Sequence, residues 1–435
     1  MNTDSFDAII IGGGPGGCSA ASYLALSGKR VLLLEKEVFP RFHVGESLLP
    51  YNATIFRELG LWQELESAGF PKKYGARFLL SNNTLSTRFI FGKGKYTREH
   101  QVFQVERAKF DHILLKRARN LGAEVREGWN VNRYTSSSEG VSVYAADPDG
   151  KPQQFHGKFL VDASGRANLT GNQEGLRVVH PRLKKLAVFG HFTGVRRDDA
   201  DAGGDTVIVR LENKWFWLIP VSEEKTSVGL VLDKDEFGKA AGRPQDIFKR
   251  WLETSPPLAE RMKNARLVGE FHTTSDFSYR NLRLVSQRLL RVGDAAGFMD
   301  PIFSAGVFLA MWSGKLAAQV INEAVERAND GARASLKYEK RINRGMRFYW
   351  QMVEHFYTTP FMELFLQPRG HINLPDAVNA VLAGELEGGW KLRWRLKYFF
   401  FLVKCQARRP IVPNITFKPL AQAVACEPEH CSTKI

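Results

Sequence analysis

The chain has 435 residues, of which 44% are hydrophobic and 25% charged, enough apolar material for two packed domains and too much for a disordered or fibrous protein. No run of eighteen apolar residues occurs, so a transmembrane helix is not expected, and four cysteines (Cys18, Cys405, Cys426, Cys431) are too few and scattered for a disulfide framework. The formal charge of +15 could suit nucleic acid, but no nucleic-acid module is recognisable; an acidic partner or an anionic surface is the alternative.

The N-terminus, MNTDSFDAIIIGGG, enters an apolar strand almost at once and lacks the basic segment of a signal peptide, so a cytoplasmic location is expected. FDAIIIGGGPGGCSAASYLALSGKRVLLLEKE then reads as one β-α-β unit. Gly12, Gly14 and Gly17 have G-x-G-x-x-G spacing: the first permits a tight turn, the second lets a pyrophosphate approach, and the third lets helix and strand pack closely. The helix from Gly16 to Ser27 presents its N-terminal amides to the phosphates, and Glu35, ending the second strand, is placed to accept a ribose hydrogen bond. A helix is expected over NATIFRELGLWQELE. VFQVERAKFDHILLKRA places Arg107 before an amphipathic helix. GKFLVDASGR is a strand ending at Asp162, and RLLRVGDAAGFMDPIFSAGVFLA is a strand, then Gly293 and Asp294, then a turn into a helix. Segments so far apart can share one ligand only if the chain returns repeatedly to it.

This arrangement resembles the FAD-binding fold of the single-component aromatic hydroxylases, over residues 5 to 360. The resemblance implies FAD as cofactor, an FAD contact for Arg107, and approach of Gly293 and Asp294 to the ribityl chain. FPRFHVGESLLP also looks like the family, with Arg41, Glu46 and Ser47 able to line the flavin; His43 reads as structural.

KWFWLIP carries a second resemblance. Trp215, Trp217 and Pro220 match the W-x-W-x-I-P motif of flavin-dependent halogenases. There the motif lies beside the flavin, as bulky rings that separate it from the organic substrate and pass only a small oxidant. The halogenase Lys-x-Gly pattern falls on Lys73-Tyr74-Gly75, which makes Lys73 either a hydrogen-bond donor to hypohalous acid or a chloramine nucleophile. DPIFSAGVFLA resembles the halide segment, with the backbone amides of Ala305 and Gly306 as binding groups. Tryptophan halogenases carry a glutamate where this chain has Phe303, which implies a phenol or pyrrole rather than free tryptophan. The partners implied are a separate flavin reductase, chloride or bromide, and an aromatic substrate that is free or tethered to an acidic acyl or peptidyl carrier protein.

The expected fold is α/β. Residues 1–75, 100–180 and 280–330 make a discontinuous, Rossmann-like FAD domain; 76–99 and 181–279 make a mixed or antiparallel substrate-domain sheet; 331–435 make a helical extension with a mobile tail. WKLRWRLKYFFFLVKCQARR, at 390–409, mixes cations with aromatics as an amphipathic helix. The tail segment CEPEHC supplies three metal-type ligands where a zinc site needs four, or three with a water, so no metal is expected. Two other activities stay open: a flavin hydroxylase or reductase of the same fold, and a carrier-docking flavoprotein with little activity of its own.

Overall fold

A computed structural model describes residues 5–275, 278–369 and 371–418. Its first strand, Ser5–Ile11, pairs in parallel with Val31–Glu35 on one side and Pro152–Asp162 on the other. Leu289–Arg291 and Glu124–Glu127 extend this core in parallel, and Val285–Ser286 adds an antiparallel edge. The central strands Ser5–Ile11 and Val31–Glu35 are mainly apolar because both faces are covered. Ala8, Ile10, Leu33 and Val161 point into a core shared with helices Pro15–Leu26, Arg107–Asn120 and Gly306–Glu326. Ile9, Ile11, Leu32, Leu34 and Leu160 face a second layer that includes strands Asn130–Ser136 and Val141–Ala146.

A second sheet has seven strands, in the order Arg266–Ser275, Lys185–Thr193, Thr226–Asp233, Trp215–Pro220, Thr206–Arg210, Gly75–Leu80 and Ser86–Ile90. All its pairings are antiparallel except that of Thr206–Arg210 with Gly75–Leu80. The two-residue period of a strand assigns Trp215, Trp217 and Ile219 to the core shared with the first sheet. Phe216 and Leu218 enter a separate outer core, closed by Ile247, Phe248 and Leu258 from two short helices.

C-terminal to these sheets lie helices Ala332–Phe356, Thr359–Leu366, Leu374–Ala383 and Trp390–Gln406. Helix Thr359–Leu366 packs on the second sheet at strands Gly75–Leu80 and Ser86–Ile90, where the Phe365 ring stands 4.8 Å from Phe78 and 5.0 Å from Phe89. Among the described residues no helix is long and apolar enough to cross a membrane. The single helix expected after Pro50 is two helices, Asn52–Glu58 and Trp62–Ser67. Gly60 between them has φ +65°, a left-handed conformation that ends a helix whatever the apolar spacing beyond it.

Trp217 lies flat across Gly229 of the neighbouring strand, where an added Cβ would sit 2.2 Å from the indole. Gly229→Ala is therefore expected to destabilise the fold by about 1–3 kcal/mol through overpacking. Chemical denaturation followed by tryptophan fluorescence measures this, and unchanged stability would contradict the packing described.

Candidate functional site

A cavity of about 570 Å³ opens at the C-terminal ends of the parallel strands, against the tryptophan face of the second sheet. Open α/β sheets bind ligands at this end. Gly12 has φ +101° and its Cβ would meet the Ala163 carbonyl at 2.3 Å; a Cβ on Gly17 would lie 1.9 Å from the Gly12 carbonyl. Gly12 and Gly14 line the cavity, while Gly17 sits behind it and lets the helix close on the strand. Gly293 and Asp294 form the facing wall.

Glu35 lies on the wall, and its two oxygens accept the amides of Gly13 (2.6 Å) and Glu37 (2.9 Å), each keeping a lone pair for a ribose hydroxyl. Arg107 spends Nε and Nη2 on the two oxygens of Asp111, at 2.8 Å each, and Nη1 on the carbonyls of Val44 and Gly45. It lines the cavity while clamping the loop that holds Glu46 and Ser47. Arg41 also pairs with Asp111, at 3.0 Å, and its Nη2 is 3.7 Å from where a Gly14 side chain would be, over the phosphate turn. The two guanidiniums hold the buried Asp111 carboxyl below its usual range. Burial pushes Asp294 up to about 6, against the pull of Arg166 and Arg107. His43 is pushed down to about 4 by burial and Arg107, so it is neutral at physiological pH, and its Nδ1–H donates to the Val44 carbonyl at 2.7 Å. A glycine turn at a helix N-terminus, a ribose-facing carboxylate and an arginine over the turn fit the pyrophosphate and ribose of FAD.

Trp215 and Trp217, with ring centroids 5.8 Å apart, form the cavity wall on the second sheet. Pro220 is buried in the same strand but off that wall, opposite Thr226. Trp215 donates to the Tyr357 hydroxyl (2.9 Å), which donates to Asp300 (2.6 Å). Asp300 in turn caps the turn Pro301–Phe303, so one chain of hydrogen bonds ties the tryptophan wall to the start of helix Gly306–Glu326. At that start Ser304 has φ +56°, and the amides of Ala305 and Gly306 have no hydrogen-bond partner among the described residues. Gly306 borders the large cavity; both residues, with Phe303, border a second, smaller space of about 40 Å³.

Lys73 lines neither space. It is 2% exposed, on a two-residue strand opposite Val102, and donates to Ser47 Oγ (2.8 Å) and the Leu48 carbonyl (2.9 Å). Ser47 is on the cavity wall, so one side chain separates the amine from the cofactor space. Burial pushes Lys73 down to about 7, with Asp205 opposing.

The Trp215–Tyr357–Asp300 chain and the pairing of His191 Nε2 with Glu46 were not read from sequence. Tyr357 and His191 carry no motif, and their partners lie far along the chain. Cys426, His430 and Cys431, and the tail expected to be mobile, lie outside the described residues. Among the described residues no group of three His, Cys, Asp or Glu could hold a metal.

A family model described as FAD binding domain matches residues 5–341. The chain is 33% identical over 417 residues to the 1H-pyrrole-2-carbonyl-(peptidyl-carrier protein) chlorinase of Pseudomonas fluorescens, covering 90% of this chain and 92% of that one. It is 33% identical over 398 residues to the corresponding brominase of Pseudoalteromonas luteoviolacea, covering 89% and 94%. The solved structure of the flavin-dependent brominase Bmp2 superposes with a TM-score of 0.83 at 30% identity, covering 93% of this chain and 99% of that one. With an FAD cradle, a paired-tryptophan wall and kinship along nine-tenths of its length, the chain belongs to the flavin-dependent halogenases, FAD-dependent oxidoreductases.

Proposed function

We propose that this halogenase acts on a pyrrole or phenol ring borne by an acidic carrier protein, and that Lys73 delivers the halogen. The observation that carries the reading is the Lys73 amine: desolvated, held by two hydrogen bonds, and one side chain behind the cofactor wall. Bound reduced FAD, with oxygen, supplies the oxidising equivalent that turns chloride or bromide into hypohalous acid. The free amides of Ala305 and Gly306 hold the halide beside that space. The sequence has no second G-x-G-x-x-G for a nicotinamide, which favours a separate reductase as the source of reduced FAD.

Neutral Lys73 has two N–H bonds, both already directed at Ser47 and Leu48, and its lone pair is left over. That lone pair attacks the halogen of HOX, forming an N–X bond with release of water. The aromatic carbon then takes the halogen, and its proton returns to the amine. Phe303 packs against Phe78, Phe356 and Phe365 and supplies no carboxylate to assist, which suits a ring that is already electron-rich. Pyrrole is such a ring, and the two relatives above are named for pyrrole carried on a peptidyl carrier protein. Because Lys73 is buried, the acceptor reaches it only when neighbours such as Phe91, 5.6 Å from Nζ, move aside.

The test supplies a flavin reductase, FAD, bromide and pyrrolyl-loaded carrier protein, with mass spectrometry of the product. Lys73→Ala is expected to cut halogenation by at least about 100-fold while FAD binding and oxygen consumption persist. A hydroxylated product that survives this substitution would favour the hydroxylase reading instead. The amine's depressed pKa also sets a pH dependence. About a tenth of Lys73 is neutral one unit below 7 and about nine-tenths one unit above, so halogenation per FAD oxidised rises through pH 7. If Lys73 worked as an ammonium donor, the yield would fall over the same interval.

A further inference from the structure

Helix Trp390–Gln406 buries Leu392, Leu396, Phe399, Phe400 and Val403 against the fold. Its outer face nevertheless leaves Trp390 75%, Trp394 46% and Phe401 56% exposed. Trp394 stacks on Tyr398 (5.5 Å, 1° between planes), and Tyr398 on Phe401 (6.0 Å, 24°), giving a continuous aromatic ladder. Residues 388–418 contain eight Lys and Arg and no Asp or Glu, and among the described residues none of these cations forms an ion pair. Lys95 and Tyr96 join Trp390, Lys391, Trp394 and Arg395 around a surface groove beside the ladder. Exposed tryptophans ringed by unneutralised cations are costly on a free surface and typical of protein contact sites.

The groove also lies on the chain segment that borders Lys73. The Arg395 guanidinium lies 5.3 Å from the Tyr96 ring, and Phe91, in the turn leading to Tyr96, faces Lys73 at 5.6 Å. We propose that this face is the landing surface for an acidic helix of the carrier protein that brings the acceptor; the proposal rests on the carrier-bound reading above. The cations meet the partner's carboxylates and the exposed rings anchor its apolar side.

Two variants test it, Trp390→Ala with Trp394→Ala, and Lys391→Glu with Lys397→Glu and Lys404→Glu, all at exposed positions. Each is expected to raise KM for pyrrolyl-loaded peptidyl carrier protein at least tenfold, leaving kcat and turnover of a free small pyrrole unchanged. Carrier KM unchanged in both variants overturns the docking surface and leaves the carrier-bound reading standing. Wild-type protein that halogenates only the free pyrrole overturns both. Loss of binding to phosphatidylglycerol vesicles, with carrier KM intact, assigns the face to a membrane instead.

A separate observation concerns a buried acid. Halide oxidation consumes one proton overall: FADH2 + O2 + X⁻ + H⁺ gives FAD + H2O + HOX. Glu46 is 2% exposed on the cavity wall, with Oε1 paired to His191 and Oε2 buried with no hydrogen-bond partner among the described residues. The His191 side chain is 16% exposed, so the pair connects the cavity to solvent. We infer that His191 and Glu46 carry this proton inward: His191 Nε2–H passes it to Glu46, Glu46 passes it to the oxygen that departs as water, and solvent re-protonates His191. The pair is surrounded by Arg107, by the Glu106–Lys225 ion pair (2.6 Å), and by Phe42, which stacks on His272. The Glu46 hydrogen bond raises the His191 pKa, keeping the proton available to higher pH. Glu46→Gln is expected to lower the His191 titration midpoint, read by NMR without flavin, and His191→Gln to remove the alkaline limb of the halogenation pH profile. A His191 midpoint indifferent to Glu46→Gln, or an unchanged alkaline limb, overturns the relay.

Discussion

Strand Trp215–Pro220 must satisfy two cores at once, and the rest of the site follows from how it does so. Side chains alternate across a strand, so Phe216 and Leu218 are committed to the outer core and Trp215 and Trp217 to the cofactor side. Burying both indoles on that side is tolerable because each N–H finds an acceptor: Tyr357 for Trp215 and Ser227 for Trp217. Gly229 removes the side chain that would stand in the way of Trp217. An aromatic wall along the cofactor cavity results, anchored to the turn before helix Gly306–Glu326 through Tyr357 and Asp300.

The electrostatics behind the wall divide in two. Around the cradle, charge is matched: Asp111 sits between Arg41 and Arg107 with well-formed bonds, so breaking one partner would strand a buried charge. At Lys73 charge is left unmatched. Its hydrogen-bond partners are a hydroxyl and a carbonyl, and among the described residues Asp205 alone of the carboxylates acts on it, so burial wins and the amine is pushed towards neutrality. A group held near its own midpoint can gain and lose a proton cheaply.

Local chemistry was legible in the sequence because its physics is local. The glycine turn depends on backbone conformation within six residues of Gly12, and the helix it opens begins there as read. The tryptophan motif and the basic aromatic helix were readable for the same reason, since period and composition act over one element. The split at Gly60 escaped because apolar spacing continues across the break while the backbone does not. His191 and Glu46, 145 residues apart, carried no joint signal.

Neighbouring residues alone encode a dinucleotide-type β-α-β cradle and two tryptophans on one face of a strand, because turn geometry and strand alternation are local; FAD and the halogenase motif were legible there as a family resemblance. Tertiary packing is what makes Lys73 dry, sets Ser47 between it and the cavity, and lets Tyr357 tie the wall to the turn before helix Gly306–Glu326. Desolvation and long-range hydrogen bonding depend on what the rest of the chain packs against a residue, and no stretch of sequence around that residue contains that information.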